Sequence, residues 1–153
     1  ARICIAGASY GGYAALMGAV RRPELYKAAI SICGVADLVD MLDWEKRTDD
    51  TPGNMIFEFW TKRIGDLSTQ RPMIEAASPR RRVSEIVCPV LLVHGVKDEI
   101  VPPIQSQAMH RALRGAGKSV QYVEINGGHG DWDDKEELAM MKSCVQLLNR
   151  AFA

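Results

Sequence analysis

Residues Gly7-Ala8-Ser9-Tyr10-Gly11-Gly12 stand between an apolar, strand-like run and a helix-like run. This is the G-x-S-x-G spelling of a nucleophile elbow, with an extra glycine behind it. A serine at the apex of a tight strand-to-helix turn takes a strained backbone conformation. Its neighbours must lack bulk, because the strand and the helix approach closely. Gly7 stands two before the serine and Gly11 two after it, while Gly12 lets the helix pack tightly. The Ser9 hydroxyl is then exposed at the N-terminus of a helix, whose dipole favours developing negative charge. The competing reading is a glycine-rich turn with no chemistry. Two other glycine motifs do not fit. A dinucleotide fingerprint needs glycine where Ser9 stands, and a P-loop needs Gly-Lys-Ser/Thr where Gly11-Gly12-Tyr13 stands.

A nucleophilic serine needs a base, and the base needs an orienting acid. The chain has three histidines. His129, in Asn126-Gly127-Gly128-His129-Gly130, follows a strand-like run, and a glycine-flanked loop there can swing an imidazole over a sheet edge. A loop histidine without a task is the alternative. His110 reads as a partly exposed helical side chain, and His94 as a turn residue that hydrogen-bonds locally. Asp98 lies a few residues beyond Val90-Leu91-Leu92-Val93, at the carboxyl end of a buried strand. Open α/β sheets keep their chemistry at that end. Aspartates in such loops also cap turns, so Asp98 alone decides little, and Glu99 points elsewhere from the same loop. The order Ser9, Asp98, His129 is that of α/β-hydrolases, and neither the chymotrypsin nor the subtilisin order.

The chain resembles the catalytic domain of the prolyl oligopeptidase family of serine peptidases, in the dipeptidyl and acylaminoacyl peptidase branch. The resemblance rests on Gly7 to Tyr13, Ala77-Ser78-Pro79, the run Ile86 to Gly95, Asp98, Val101-Pro102 and Gly128-His129-Gly130. It runs over essentially the whole chain. It implies Ser9 as nucleophile, Asp98 as orienting acid and His129 as base. It also implies Val35 and Met41 as pocket residues from the segment after the second strand, joined by Tyr10 and Val101. The chain departs from the family in starting on the nucleophile strand. The earlier strands, the upstream oxyanion-hole tyrosine and the propeller have no counterpart, and residue 1 is alanine, which suggests a fragment or a processed chain. Gly130-Asp131-Trp132 is more acidic than the family pattern.

At 153 residues the chain can bury a sizeable core. Its formal net charge is zero, which advertises neither nucleic acid nor an anionic membrane. Arg80-Arg81-Arg82 reads as a solvated helix start after Pro79. Cys4, Cys33, Cys88 and Cys144 are far apart and beside apolar runs, which suits reduced core thiols and a cytoplasmic setting. Ile3 to Val20 is uncharged between Arg2 and Arg21, but its glycines, tyrosines and serine argue against a membrane span.

Strands and helices alternate. Strands are expected at Arg2–Ala6, Ala28–Cys33, Val90–Val93 and Val120–Ile125. Helices are expected from Tyr10 to about Val20, from Met55 to Ile64 with Asn54 as cap and Gly65 as stop, and from Ile104 to Gly115. A last helix follows the capping pair Asp133 and Glu136, with Leu138, Met141, Val145 and Leu148 on one face. The acidic run Asp131 to Glu137 matches no calcium loop and reads as charge at that helix start. The stretch 35–79 reads as a cap-like excursion with Phe57, Phe59 and Trp60 in its core.

The expected fold is therefore a single α/β-hydrolase domain over 1–153. It is truncated, with about four parallel strands from the nucleophile strand onward and helices on both faces. The expected activity is acyl transfer through Ser9, on a peptide or small ester, without metal or cofactor. The Tyr10 N–H supplies one oxyanion donor, and the other comes from outside this sequence. A catalytically impaired fragment or interaction module, and a small-ester esterase, are the alternatives. An open apolar first strand predicts a homo-oligomer.

Overall fold

Four parallel strands in sequence order form one sheet: β1 (Cys4–Ala8), β2 (Ala28–Ile32), β3 (Val90–Gly95) and β4 (Val120–Ile125). The computed structural model describes residues 2–153. The first strand starts and ends two residues later than the expected Arg2–Ala6, so Gly7 and Ala8 belong to it and Ser9 follows at once. The third strand runs on through His94 and Gly95 and is buried along its whole length, as a strand covered on both faces must be.

Helices cover both faces. Helices α1 (Tyr10–Arg21) and α5 (Ile104–Gly115) pack one face, where Leu16, Val20, Met109 and Leu113 meet Val90 and Leu92. On the other, α6 (Asp134–Phe152) packs Leu147 against Ile30, Leu91, Val93 and Ile125. Leu91 and Leu92 thus serve opposite cores, as the two-residue period of a strand requires. The start of α6 is as expected, because the Asp133 carboxylate accepts from the Glu136 N–H at 2.9 Å. Its packed face is not the expected one. Met140, Cys144, Leu147 and Ala151 meet the sheet, while Leu138, Met141 and Val145 are exposed. The helix carries two apolar stripes, and spacing alone does not choose between them.

The excursion between β2 and β3 is three helices: α2 (Leu38–Thr48), α3 (Met55–Ile64) and α4 (Leu67–Ala76), followed by a 3-10 segment at Pro79–Glu85. They close a small core of their own around Val39, Leu42 and Ile74, with Phe57 and Trp60 against it. Phe59 is exposed and packs edge-on against Trp60. Asn54 does not cap α3 with its side chain. Thr51 Oγ1 accepts from the Met55 N–H, and Asp49 accepts from the Phe57 N–H, each at 2.8 Å.

Buried polar groups fix the start of α2. Asp37 caps it and is 1% exposed. The Gln105 Oε1 accepts from the Ala36 and Asp37 N–H groups at 2.9 and 2.8 Å, and Ser78 Oγ accepts from the Leu38 N–H at 3.0 Å. The arginine triplet stands at a helix start after Pro79, as expected, but its side chains are ion-paired and not simply solvated. Arg80 and Arg81 donate to the Asp37 carboxylate at 2.7 and 2.8 Å, and Arg80 also reaches Asp40 at 2.8 Å. Arg82 pairs with Glu85. A buried carboxylate needs such partners. All four cysteines are free thiols. Among the described residues no helix is long and apolar enough to cross a membrane.

Candidate active site

Ser9 sits where β1 ends and α1 begins, with φ at 56° and ψ at −124°. Positive φ strains any residue with a Cβ, and surrounding hydrogen bonds hold it there. Its N–H donates to the Ile32 carbonyl at 2.8 Å, and its own carbonyl accepts from the Gly12 and Tyr13 N–H groups at 2.9 and 3.2 Å. The glycines around it have different reasons to be glycine. A Cβ on Gly7 would overlap the Gly11 carbonyl, and one on Gly12 would stand 2.7 Å from Ser31 Oγ. A Cβ on Gly11 would meet open space, so its own lack of bulk is not required.

Three residues distant in sequence meet at this turn. His129 Nε2 lies 2.9 Å from Ser9 Oγ, and His129 Nδ1 lies 2.8 Å from Asp98 Oδ2. Asp98 offers only acceptors when ionised, so Nδ1 carries the proton and Nε2 is free to accept from the serine hydroxyl. The other Asp98 oxygen accepts from the Ile100 and Val101 N–H groups at 3.0 and 2.9 Å. Burial pushes the Asp98 pKa up. The hydrogen bonds from His129, Val101 and Ile100 outweigh burial and leave it below the usual aspartate value.

His94 is a fully buried residue of β3, not a turn residue, and its partners lie seven and twelve residues further on instead of within a local turn. Its Nε2 lies 2.9 Å from the Val101 carbonyl and 3.2 Å from Asp98 Oδ2, and its Nδ1 lies 2.7 Å from Ser106 Oγ. A carbonyl cannot donate, so Nε2 carries the proton and is shared between that carbonyl and Asp98. Burial lowers the His94 pKa, which keeps the ring neutral. Asp98 Oδ2 thus faces two imidazoles, and the sequence pattern singled out only one of them. His110 rests on α5 against the Tyr122 ring, away from this cluster. Cys33, His94 and Asp98 lie close enough to share a metal ion, but the hydrogen bonds just described already occupy His94 and Asp98.

A cavity of about 660 Å³ opens beside Ser9. Tyr10, Val35, Met41 and Val101, the four residues expected in a pocket, all line it. So do Leu38, Glu45, Phe59 and Trp60, which sequence reasoning did not assign to it. The helical spacing of Leu38, Met41 and Glu45 was a usable signal once α2 is recognised as a helix. Among the described residues the Tyr10 N–H, at the first position of α1, has no acceptor and is available to a ligand.

The model of the prolyl oligopeptidase family matches residues 1–153. The chain belongs to this family. Two curated relatives are similar to it. One is the Mycobacterium tuberculosis protein named Esterase LipC, 31% identical over 84% of this chain and 34% of the relative. The other is dipeptidyl aminopeptidase BIII of Pseudoxanthomonas mexicana, 30% identical over 84% of this chain and 19% of the relative. Among solved structures, a Mycobacterium tuberculosis puromycin-hydrolyzing peptidase superposes with a TM-score of 0.83 at 27% identity, over 97% of this chain and 22% of that one. This prolyl oligopeptidase family member thus spans about a third or less of each relative's length, and its sheet is that of an α/β-hydrolase.

Proposed function

We propose that this chain carries the catalytic centre of a serine hydrolase of the peptidase type. The observation that carries the reading is the continuous relay from Ser9 Oγ through His129 to Asp98, at 2.9 and 2.8 Å. In this reading His129 Nε2 takes the Ser9 proton as Ser9 Oγ attacks a substrate carbonyl. Asp98 holds the imidazole tautomer and stabilises the imidazolium that forms. The Tyr10 N–H donates to the developing oxyanion, aided by the N-terminus of α1. His129 then passes the proton to the leaving amine or alcohol, and water releases the acyl group by the same route in reverse. Tyr10, Val35, Met41 and Val101 form the walls that seat the acyl side of the substrate. No step requires a metal or cofactor.

Covalent labelling by a fluorophosphonate tests the reading. Modification at Ser9, absent in Ser9→Ala, supports it. A folded chain that stays unlabelled supports the alternative, an interaction module that keeps the relay by inheritance. The esterase reading has its own support in the similarity to a protein named as an esterase. Nitrophenyl esters and peptide anilides compared on the same preparation separate the two hydrolases.

A further inference from the structure

Glu45 is an ionisable group in the cavity that acyl transfer does not use. It is 6% exposed, yet it lines the cavity instead of being sealed in the core. Among the described residues its carboxylate has neither a hydrogen-bond donor nor an ion-pair partner. A carboxylate largely withdrawn from water and without a partner is unfavourable. Burial first, and the charge of Asp49 second, raise its pKa above the usual glutamate value. Asp49 offers no relief, because its own oxygens are taken by the Thr51 and Phe57 N–H groups.

The surroundings say what would complete this group. Leu38, Met41 and Glu45 fall at i, i+3 and i+7 on α2 and all line the cavity. The stripe runs from two apolar side chains to a carboxylate, over roughly 10 Å of helix at 1.5 Å per residue. Phe59, Trp60 and Ile64 add apolar wall. Among the described residues one arginine, Arg63, lines the cavity, and it is occupied elsewhere. Its guanidinium stacks 3.4 Å from the Phe59 ring centroid and donates to the Phe59 carbonyl at 3.1 Å. The buried network around Asp37 anchors the start of α2, so Glu45 is held on a fixed helix and not on a mobile loop.

We propose that Glu45 is a specificity residue that receives a cation carried on an apolar stem, on the acyl side of the substrate. The stem lies along Leu38 and Met41, and the cation replaces the partner that the carboxylate lacks. The cation is a lysine- or arginine-type side chain or the ammonium of a free N-terminus. The inference rests on the serine hydrolase reading.

Three diphenyl phosphonates test it on the full chain: an N-acylated lysyl analogue, its N-acylated norleucyl counterpart, and the norleucyl analogue with a free amine. The rate of modification at Ser9 is read by mass spectrometry. A cationic probe should react about ten- to a hundredfold faster than the neutral one, the scale of a charge-assisted hydrogen bond. Preference for the lysyl probe identifies a side-chain cation, and preference for the free amine identifies the terminus. Glu45→Gln, nearly isosteric, should collapse the ratio. Equal rates in the parent, or a preference that Glu45→Gln retains, would overturn the proposal. Fluorophosphonate labelling of the same samples counts competent Ser9 and keeps the two readings apart. If Ser9 is never labelled the hydrolase reading fails, and the melting-temperature shift given by the three compounds, parent against Glu45→Gln, decides for Glu45.

Discussion

Asp98 Oδ2 receives the His129 Nδ1–H and shares the His94 Nε2–H, so the acid is held from two sides. On the proposed hydrolase reading, Asp98→Asn should fold and lose about 10⁴-fold in turnover, because an amide no longer selects the His129 tautomer that reading requires. Ester hydrolysis measured beside circular dichroism checks both halves. His94 makes a separate prediction about pH. Its folded pKa lies below that of the unfolded chain, chiefly because of burial. The unfolded state therefore binds the extra proton, and stability present above about pH 6.5 is lost as pH falls below it, by up to about 1.4 kcal/mol per pH unit. Asp98 is also depressed and acts in the same direction, but only below about pH 3.9. Denaturant melts between pH 5 and 7 should show the slope, and His94→Gln should reduce it, leaving the share of His110, whose pKa burial also lowers. An unchanged slope in that variant would place the titration elsewhere. The letters of the relay were legible because a serine elbow, a strand-end acid and a glycine-flanked histidine each have local spellings. The role of His94 was not legible, since its partners Val101 and Ser106 are fixed by how the loop folds back over β3.

Elements expected from sequence were found where their end signals are local, and missed where the signals lie far apart. Gly65 ends α3 with φ at 128°, and Asp133 starts α6, both as expected. Helix α2 escaped notice because its cap, Asp37, is stabilised by Arg80, Arg81 and Gln105 from distant segments. With it went the stripe that carries Glu45. Helix α4 contains Pro72, which argues against a helix in any single-sequence reading. The elbow makes a sharper element-level prediction. Gly11 and Gly12 are adjacent on α1 and equally conspicuous in sequence, but only Gly12 lacks room. Gly12→Ala would bring its Cβ within 2.7 Å of Ser31 Oγ and 2.9 Å of Gly34 Cα, forcing α1 and β2 apart. Such overpacking costs about 1–3 kcal/mol. Gly11→Ala meets open space and should stabilise the helix by about 0.5–1 kcal/mol. Melting temperatures of the two variants should move in opposite directions. A loss at Gly11 equal to that at Gly12 would mean that the turn itself demands both glycines.

At the scale of the whole molecule, two apolar features have no partner among the described residues. Strand β1 pairs on one side only, with β2, and Ile3 just before it is 41% exposed. The outer stripe of α6 presents Leu138, Met141 and Val145 at 50, 53 and 54% exposure. An unpaired parallel edge and a contiguous apolar stripe both favour association, the first through backbone hydrogen bonds and the second through burial. We expect this chain, prepared alone, to form a dimer or a higher oligomer. The two features separate by mutation. Val145→Lys together with Met141→Lys leaves the packed residues Met140, Cys144 and Leu147 untouched, so the fold should persist while stripe-mediated association disappears. Ile3→Lys places a charge beside the β1 edge and should weaken edge pairing, as lysine gatekeepers do. Light scattering across a dilution series reads both. Association lost only with the α6 changes identifies helix packing as the contact, and association lost only with Ile3→Lys identifies strand pairing. A parent chain that stays a monodisperse monomer at every concentration, with slowly exchanging β1 amides, would show that neither surface is adhesive and that the edge is protected within these 153 residues.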